Sequence, residues 1–394
     1  MSAANEPKVC ERDLGQWRLI ERFGEILEQS FSDEVLHPSF SDVRRRLTVR
    51  SYLSLYLLGL FNPVVKTMRG LCQASRLQRV QAEVCGRAVS LGSFSEAQHL
   101  LDPELLRSAF GELAAKLPGP AQAGCLGQWR WLAQDSSLFA ALPRMAWALY
   151  GGGRTGAANR AVRLHLGLEI VADKPVVVAV TPGKTNERQV WRQQWQSGHA
   201  YVGDRGYGQE YRIFGELETK GCAYVLRLRE QQCVMNVLVE LPVSPDDRAA
   251  GVIRQAWAEL GCKERYRSVP VRVVWIQTPE PAPLLLVTNL NVEALPAELV
   301  SQLYRQRWKI ELFFRWIKCI LGCRHWLAES PAGAAIQIYL ALIAALLLQL
   351  YTGRKPNRRM LELLQWHQMG MASERELVAG LKEQLQRPTT HKKR

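Results

Sequence analysis

The chain has 394 residues, which predicts two or three domains, or one domain carrying a large insertion. An apolar fraction of 47% supports real cores and excludes disorder as the default state. The formal net charge of +14 points to a polyanionic partner, nucleic acid before an acidic membrane surface.

In chain order, the opening MSAANEPKVCERDLGQ has no basic flank leading into an apolar run, so no signal peptide is expected. Residues up to about 120 carry helical periodicity. Ser51 to Gln73 reads as helix broken near Asn62-Pro63, and Ser93-Phe94-Ser95-Glu96 has the spacing of a capping box that starts another helix. Arg44, Arg45, Arg46, Arg50, Lys66, Arg69, Arg76 and Arg79 supply a dispersed basic surface. That surface suits a helical DNA-binding domain or a charged packing domain equally well. The Pro/Gly-rich stretch Leu117 to Gly124 marks a domain boundary.

Strand patterns follow. QWRWLAQDSS (Gln128 to Ser137) predicts a strand ending at Asp135. Arg160 to Gly183 predicts two strands joined by a turn at Ala172-Asp173-Lys174-Pro175, with period-two alternation of Val162, Leu164, Leu166, Leu168 and Ile170. Asn186 to Trp195 predicts a helix, and HAYVGDRGYG (His199 to Gly208) a short apolar strand ending at Asp204 in a glycine turn. CAYVLRLR, VPVRVVWIQ and PLLLVTNL are strand-like, and from Leu295 onward the chain is helical nearly to its basic end, HKKR. The apolar run Ala332 to Tyr351 approaches the length of a membrane span, but Gln337, Tyr339 and Gln349 lie inside it, and it reads as a buried core helix. The nine cysteines are scattered, without CxxC pairs or zinc-finger spacing; Cys319 and Cys323, near His325, read as buried thiols. Such usage fits a reducing cytosol.

The segment YRQRWKIELFFRWIK (Tyr304 to Lys318) carries one carboxylate among many cations. As a single helix it aligns Tyr304, Arg307, Glu311 and Lys318 on one stripe with Arg315 beside it. Trp308, Ile310, Phe313, Phe314, Trp316 and Ile317 fill the rest, so the helix is expected to be buried. Glu311 then either forms surface ion pairs or joins other carboxylates. Asp135 and Asp204, each at the end of an apolar strand, are the candidates, although each could instead be a turn or cap residue. Two strand-end aspartates and a helical glutamate could hold one or two divalent ions for phosphoryl displacement. Arg307 and Lys318 would then bind DNA phosphates, and Tyr304 a base or a phosphate.

This pattern resembles the DDE transposases of bacterial insertion elements, in particular the insertion-sequence-four-type group. That group's signature is Tyr, two residues, Arg, three residues, Glu, six residues, Lys, and it is matched by Tyr304, Arg307, Glu311 and Lys318. LAQDSS, YVGDRGYG and TPGKTNE (Thr181 to Glu187) match its other motifs, so the resemblance covers about residues 125 to 350.

The resemblance implies an α/β fold with a ribonuclease-H-like catalytic core. Asp135, Asp204 and Glu311 would be catalytic and would bind two Mg2+ ions, with Mn2+ able to substitute. The reaction would be cleavage at terminal inverted repeats and joining of the 3′-OH to target DNA, through a hairpin intermediate. The partners would be double-stranded DNA and a second copy of the chain, in the cytosol and not at a membrane. Tyr304, Arg307, Lys318, Arg315 and Trp275 would contact DNA, Trp275 as a platform for a flipped base, although it also reads as a sheet-packing residue.

The corresponding division is 1–120, a helical candidate DNA-binding domain; 121–215, the first part of the core; 216–296, a β-rich insertion; 297–352, the second part of the core with the Glu311 helix; and 353–394, a helical C-terminal region with a basic tail. A ribonuclease-H-fold nuclease without a role in transposition, or an inactive DNA-binding copy, are the rival readings.

Overall fold

A computed structural model of the chain describes residues 18–31, 36–40, 42, 45–117, 124–152, 158–229, 234–261, 267–321, 325–353 and 355–386. The N-terminal stretch, Arg44, the interior of the Leu117 to Gly124 break, Cys323, the side chain of Cys319 and the basic tail lie outside them.

The strands are β1 (Arg130–Ala140), β2 (Leu149–Gly152), β3 (Ala158–Glu169), β4 (Lys174–Pro182), β5 (His199–Gly203), β6 (Ala223–Arg227), β7 (Met235–Leu241), β8 (Val252–Leu260), β9 (Val271–Ile276) and β10 (Leu284–Thr288). They form one mixed sheet in the order β2-β3-β1-β5-β6-β10-β9-β8-β7, with β4 paired to β3. The β1, β5 and β6 ladder is parallel. β3 runs antiparallel to β1, and β10 continues the sheet antiparallel to β6. β6, which falls in the 216–296 stretch, therefore pairs directly with β5, and β7 to β10 extend the same sheet as an antiparallel meander.

The sequence explains these placements. Val162, Leu164, Leu166 and Leu168 of β3, with Ile170 after it, are all buried, as period-two alternation requires. The hairpin turn before β4 contains Asp173 at φ 50°, a conformation that a short polar side chain tolerates. β5 and β6 are short apolar runs, as befits parallel strands covered on both faces.

The helices are α1 (Arg18–Gln29), α2 (Val49–Phe61), α3 (Met68–Ala74), α4 (Gln78–Val80), α5 (Leu91–Leu100), α6 (Pro103–Lys116), α7 (Glu187–Gln193), α8 (Arg212–Thr219), α9 (Pro245–Ala249), α10 (Ala297–Gln306), α11 (Trp308–Leu321), α12 (Pro331–Thr352), α13 (Arg358–Gln368) and α14 (Glu374–Gln386). On one face of the sheet, α7 and α8 bury Trp191, Ile213, Phe214 and Leu217 against Tyr201 and Tyr224. On the other face the N-terminal helices and α10 to α14 share one continuous core with the sheet.

α12 lies at the centre of that core, against α2, α5, α6 and α11. It is the one helix among the described residues long and apolar enough to cross a membrane, and 83% of its apolar window is buried inside the protein. Its polar Gln337 is buried, with both ends of its amide hydrogen-bonded. Its Oε1 accepts from the Leu327 N–H at 2.9 Å and its Nε2 donates to the His325 carbonyl at 2.9 Å, which fixes the chain entering the helix.

The helix break expected near Asn62-Pro63 is present, and three other local expectations are corrected. The break after α2 is a cap in which Asn62 Oδ1 accepts from the Val64 and Val65 N–H groups, so the helix resumes only at Met68, behind Thr67. Helix α5 is capped by Ser90, whose hydroxyl accepts from the Ser93 N–H, so Ser93 lies inside the helix. β1 does not end at Asp135 but continues to Ala140, because β3 keeps pairing with it there. Tyr304 to Lys318 is not a single helix: α10 ends at Gln306, and three-residue turns from Tyr304 to Arg307 and from Arg307 to Ile310 lead into α11.

Gln337→Leu would leave the Leu327 N–H and the His325 carbonyl without their partner. A stability loss of about 1–3 kcal/mol is expected in urea unfolding, against little change for an exposed-site control such as Gln302→Leu.

Candidate active site

The parallel pairing of β1 with β5 runs from Arg130 opposite His199 to Gln134 opposite Gly203, and there it stops. The next residues are Asp135 and Asp204. Adjacent strands lie about 4.8 Å apart, so the ladder itself delivers two carboxylates side by side. The Ser136 N–H donates to Asp135 Oδ1 at 2.7 Å, and the Gly206 N–H donates to Asp204 Oδ1 at 2.8 Å.

The turn after Asp204 is tight. The Tyr207 N–H closes onto the Asp204 carbonyl at 3.1 Å, and a Cβ at Gly208 would stand 2.3 Å from the Arg227 carbonyl oxygen. The Tyr207 ring is buried edge-on against Trp191, and its hydroxyl donates to Glu187, the first residue of α7. Arg163 of β3 completes this side: its guanidinium reaches Ser136 Oγ at 2.8 Å, Glu187 Oε2 at 3.3 Å and the Gly183 carbonyl.

Glu311 approaches from the opposite face. Arg307, at the junction of α10 and α11, donates to Glu311 Oε1 at 2.6 Å and to Asp135 Oδ2 at 3.4 Å, so one guanidinium bridges the two acids. From there α11 runs along β1. Asp135 and Phe139 are four strand residues apart, about 13 Å, and Glu311 and Lys318 seven helical residues, about 10 Å. Lys318 accordingly stands 5.7 Å from the centre of the Phe139 ring. Tyr304 hydrogen-bonds Arg227 at the end of β6, and its ring lies under Arg307 at 5.8 Å.

Tyr304, Arg307 and Glu311 thus lie beside the aspartates, whereas Lys318 stands over Phe139 farther along β1 and Arg315 is exposed on α11. Trp275 is not brought there. It lies in β9, three strands from β5, buried in the second core with Arg254 over its ring at 4.5 Å. Trp308, expected to be buried, is 52% exposed and shares an open face of α11 with Leu312. Glu187 and Arg163 were not foreseen as part of the group. TPGKTNE does mark Glu187 as an acid opening a helix behind an Asn cap, whereas nothing in the alternating strand singles out Arg163.

A transposase DDE domain model matches residues 131–347. The chain belongs to that family. Among curated relatives, the DDE chain is 26% identical over 204 residues to a putative transposase, y4zB, of Sinorhizobium fredii, covering 51% of this chain and 56% of that protein. It is 27% identical over 211 residues to a probable transposase for insertion sequence element IS5377 of Geobacillus stearothermophilus, with 52% of each covered. The match therefore spans about half the length of these two relatives. A putative transposase for insertion sequence element IS4SA of Synechocystis is 23% identical over 308 residues, covering 76% of this chain and 82% of that one. A solved piggyBac transposase chain, from a synaptic complex with hairpin DNA, aligns over 95% of this chain and 83% of its own at 12% identity, with a TM-score of 0.46. That likeness is too distant to bear on this chain.

Electrostatics in the DDE domain follow from burial. Asp135 is pushed up to about 7, first by desolvation and then by the neighbouring Asp204 and Glu187 charges, against the Ser136 N–H and Arg307, which pull it down. Burial likewise raises Tyr207 well above its ordinary value. Among the described residues no three His, Cys, Asp or Glu side chains converge as a ready metal cage. The donor set still suits a hard cation: carboxylate oxygens, one of them desolvated, with Arg307 between Asp135 and Glu311 supplying the positive charge.

Two predictions follow from this geometry. Gly208→Ala forces a Cβ into the Arg227 carbonyl and should lower the melting temperature sharply, whereas Gly198→Ala, where nothing lies within 4 Å, should cost only its positive-φ strain of about 1 kcal/mol. The second concerns pH. Between the ordinary carboxyl range and about 7, the folded metal-free protein holds a proton on Asp135 that the unfolded chain has released. This contribution is present at low pH and lost as pH rises through 7. The stability of Asp135→Asn relative to wild type should therefore improve from pH 4 to pH 8 by on the order of 2 kcal/mol, a discounted figure because the carboxylate is 20% exposed. Urea unfolding without divalent metal measures it.

Proposed function

We propose that this DDE chain is a DNA transposase of an insertion element, and that Asp135, Asp204 and Glu311 are its catalytic acids. The observation that carries the reading is the arrest of the β1–β5 ladder one residue before each aspartate, with Glu311 tied to Asp135 through Arg307. The strand set β4-β3-β1-β5-β6, with α11 along β1, supports a ribonuclease-H-like core. On this reading β7 to β10 are the β-rich insertion and α1 to α6 the candidate DNA-binding domain.

Asp135, Asp204 and Glu311 would hold two Mg2+ ions, which when bound activate water and stabilise the attacking and leaving oxygens of a phosphodiester. The protein's own groups do the rest. The Ser136 and Gly206 N–H groups each hold one oxygen of an aspartate, and Arg307 reaches the other oxygen of Asp135. Arg307 shares its one positive charge between Asp135 and Glu311 while no metal is present, and Tyr304, Lys318 and exposed Arg315 present hydrogen-bonding and positive groups to a DNA backbone. The products would be cut terminal inverted repeats, a hairpin on the excised end, and 3′-OH ends joined to target DNA. Two copies of the chain would act together, since two ends must be joined.

The test is cleavage of DNA from the gene's flanks by purified protein with Mg2+ or Mn2+. Nicking at a repeat boundary is expected, with a drop of about a hundredfold to a thousandfold in Asp135→Asn, Asp204→Asn and Glu311→Gln while DNA binding persists; the magnitude is of the order seen when a group stabilising the transition state is removed. Binding should weaken steeply with added salt. A carboxylate variant that cuts as well as wild type would sink the site assignment, and binding without any cleavage by wild type would favour an inactive copy.

A further inference from the structure

Glu187 is the acid beside the site that the reading above leaves without a role. Its carboxylate is held at both oxygens. The buried Tyr207 hydroxyl donates to Oε1, and Arg163 Nη1 donates to Oε2 at 3.3 Å. The same Nη1 donates to Ser136 Oγ at 2.8 Å, and the Ser136 N–H holds Asp135. Tyr207 in turn closes the turn whose first residue is Asp204, and its ring packs against Trp191 one helical turn beyond Glu187. One carboxylate thus links β1, β3, the turn after β5 and the start of α7.

We propose that Glu187 is a positioning residue for Asp135 and Asp204, an inference that rests on the functional reading above. The chain of bonds runs from Asp204 through the Tyr207 turn to Glu187, then through Arg163 to Ser136 and Asp135. Each aspartate is one residue past the end of the β1–β5 ladder; Asp135 stays paired with Leu166 of β3 and Asp204 is unpaired, so strand pairing does not fix either carboxylate. Only a group that accepts from both sides ties the two segments together. A carboxylate does this, because it accepts from a phenol and a guanidinium at once. An amide offers one acceptor oxygen and would turn an N–H toward one of the two donors. Glu187 itself acts through its neighbours, because both of its oxygens are already engaged in the metal-free protein.

The experiment compares wild type, Glu187→Gln, Tyr207→Phe, the double variant and Asp135→Asn as full chains. The first readout is Mn2+ affinity by calorimetry on the protein alone; the second is the Mg2+ dependence of end cleavage; thermal melting is followed alongside. Glu187→Gln should weaken Mn2+ binding about tenfold, as loss of a partner behind a metal ligand does, and should raise the Mg2+ needed for half-maximal cleavage by a similar factor. Tyr207→Phe should move both in the same direction by less. The double variant should be within about twofold of Glu187→Gln, because both changes cut one chain of bonds.

Wild-type Mn2+ affinity in Glu187→Gln, even with a lowered melting temperature, would overturn the inference, since a purely structural role moves melting alone. Complete loss of Mn2+ binding, equal to Asp135→Asn, would overturn it in favour of direct ligation. If Asp135→Asn binds Mn2+ as well as wild type, the functional reading has failed and takes this inference with it.

Discussion

The parallel ladder between β1 and β5 ends at Gln134 and Gly203 and so brings the next residues, Asp135 and Asp204, out at neighbouring strand ends. Asp135 is reluctant to ionise there, chiefly because burial desolvates it and secondarily because the Asp204 charge is near. The surrounding architecture offsets that cost. Arg307 reaches in from the α10–α11 junction, backbone N–H groups take one oxygen of each aspartate, and Arg163 stands behind Ser136. The position of α11 follows from the same requirement, since it must lay Glu311 and Arg307 over β1 while burying Ile310, Phe313, Phe314 and Ile317 in the core.

The two cations near Asp135 differ in function as well as in position. Arg307 is shared between two carboxylates, and its guanidinium is mostly enclosed. Arg163 binds a hydroxyl, a carbonyl and a carboxylate, so it secures geometry in addition to balancing charge. A planar guanidinium with several fixed donors suits both tasks better than a lysine ammonium. Lys318 sits over the ring of Phe139, where a compact charge on a flexible stem is sufficient.

Much of this was legible in the sequence. Alternation gave β3, turn chemistry gave the hairpin at Asp173, and short apolar runs ending in Asp gave β5 and the beginning of β1. The spacing of Tyr304, Arg307, Glu311 and Lys318 pointed to a shared site, and the chain's membership in the transposase DDE family agrees with the resemblance drawn from it. What periodicity could not show was anything decided across the sheet. The end of β1 was misplaced because β3 sustains it after β5 has left. The break at Arg307 was invisible because its dihedral angles remain near helical values while its hydrogen bonds tighten. Trp308 looked like core because an aromatic residue in an apolar helix usually is, and only the packing of α11 shows which side stays open. Glu187 could be seen as a helix-opening acid, but its bonds to Tyr207 and Arg163 join segments that no local pattern connects.

The central place of α12 also governs how the protein comes into being. Helices α2, α5 and α6 pack against a helix that follows them by more than two hundred residues, so at ribosomal rates they wait roughly 10–50 s for their partner. During that interval the apolar surfaces that α12 will cover have no native contact to make. The nascent chain therefore passes through a long stage of exposed hydrophobic surface, the kind of state that is prone to aggregate. The place of α12 in the chain thus sets when this core can close.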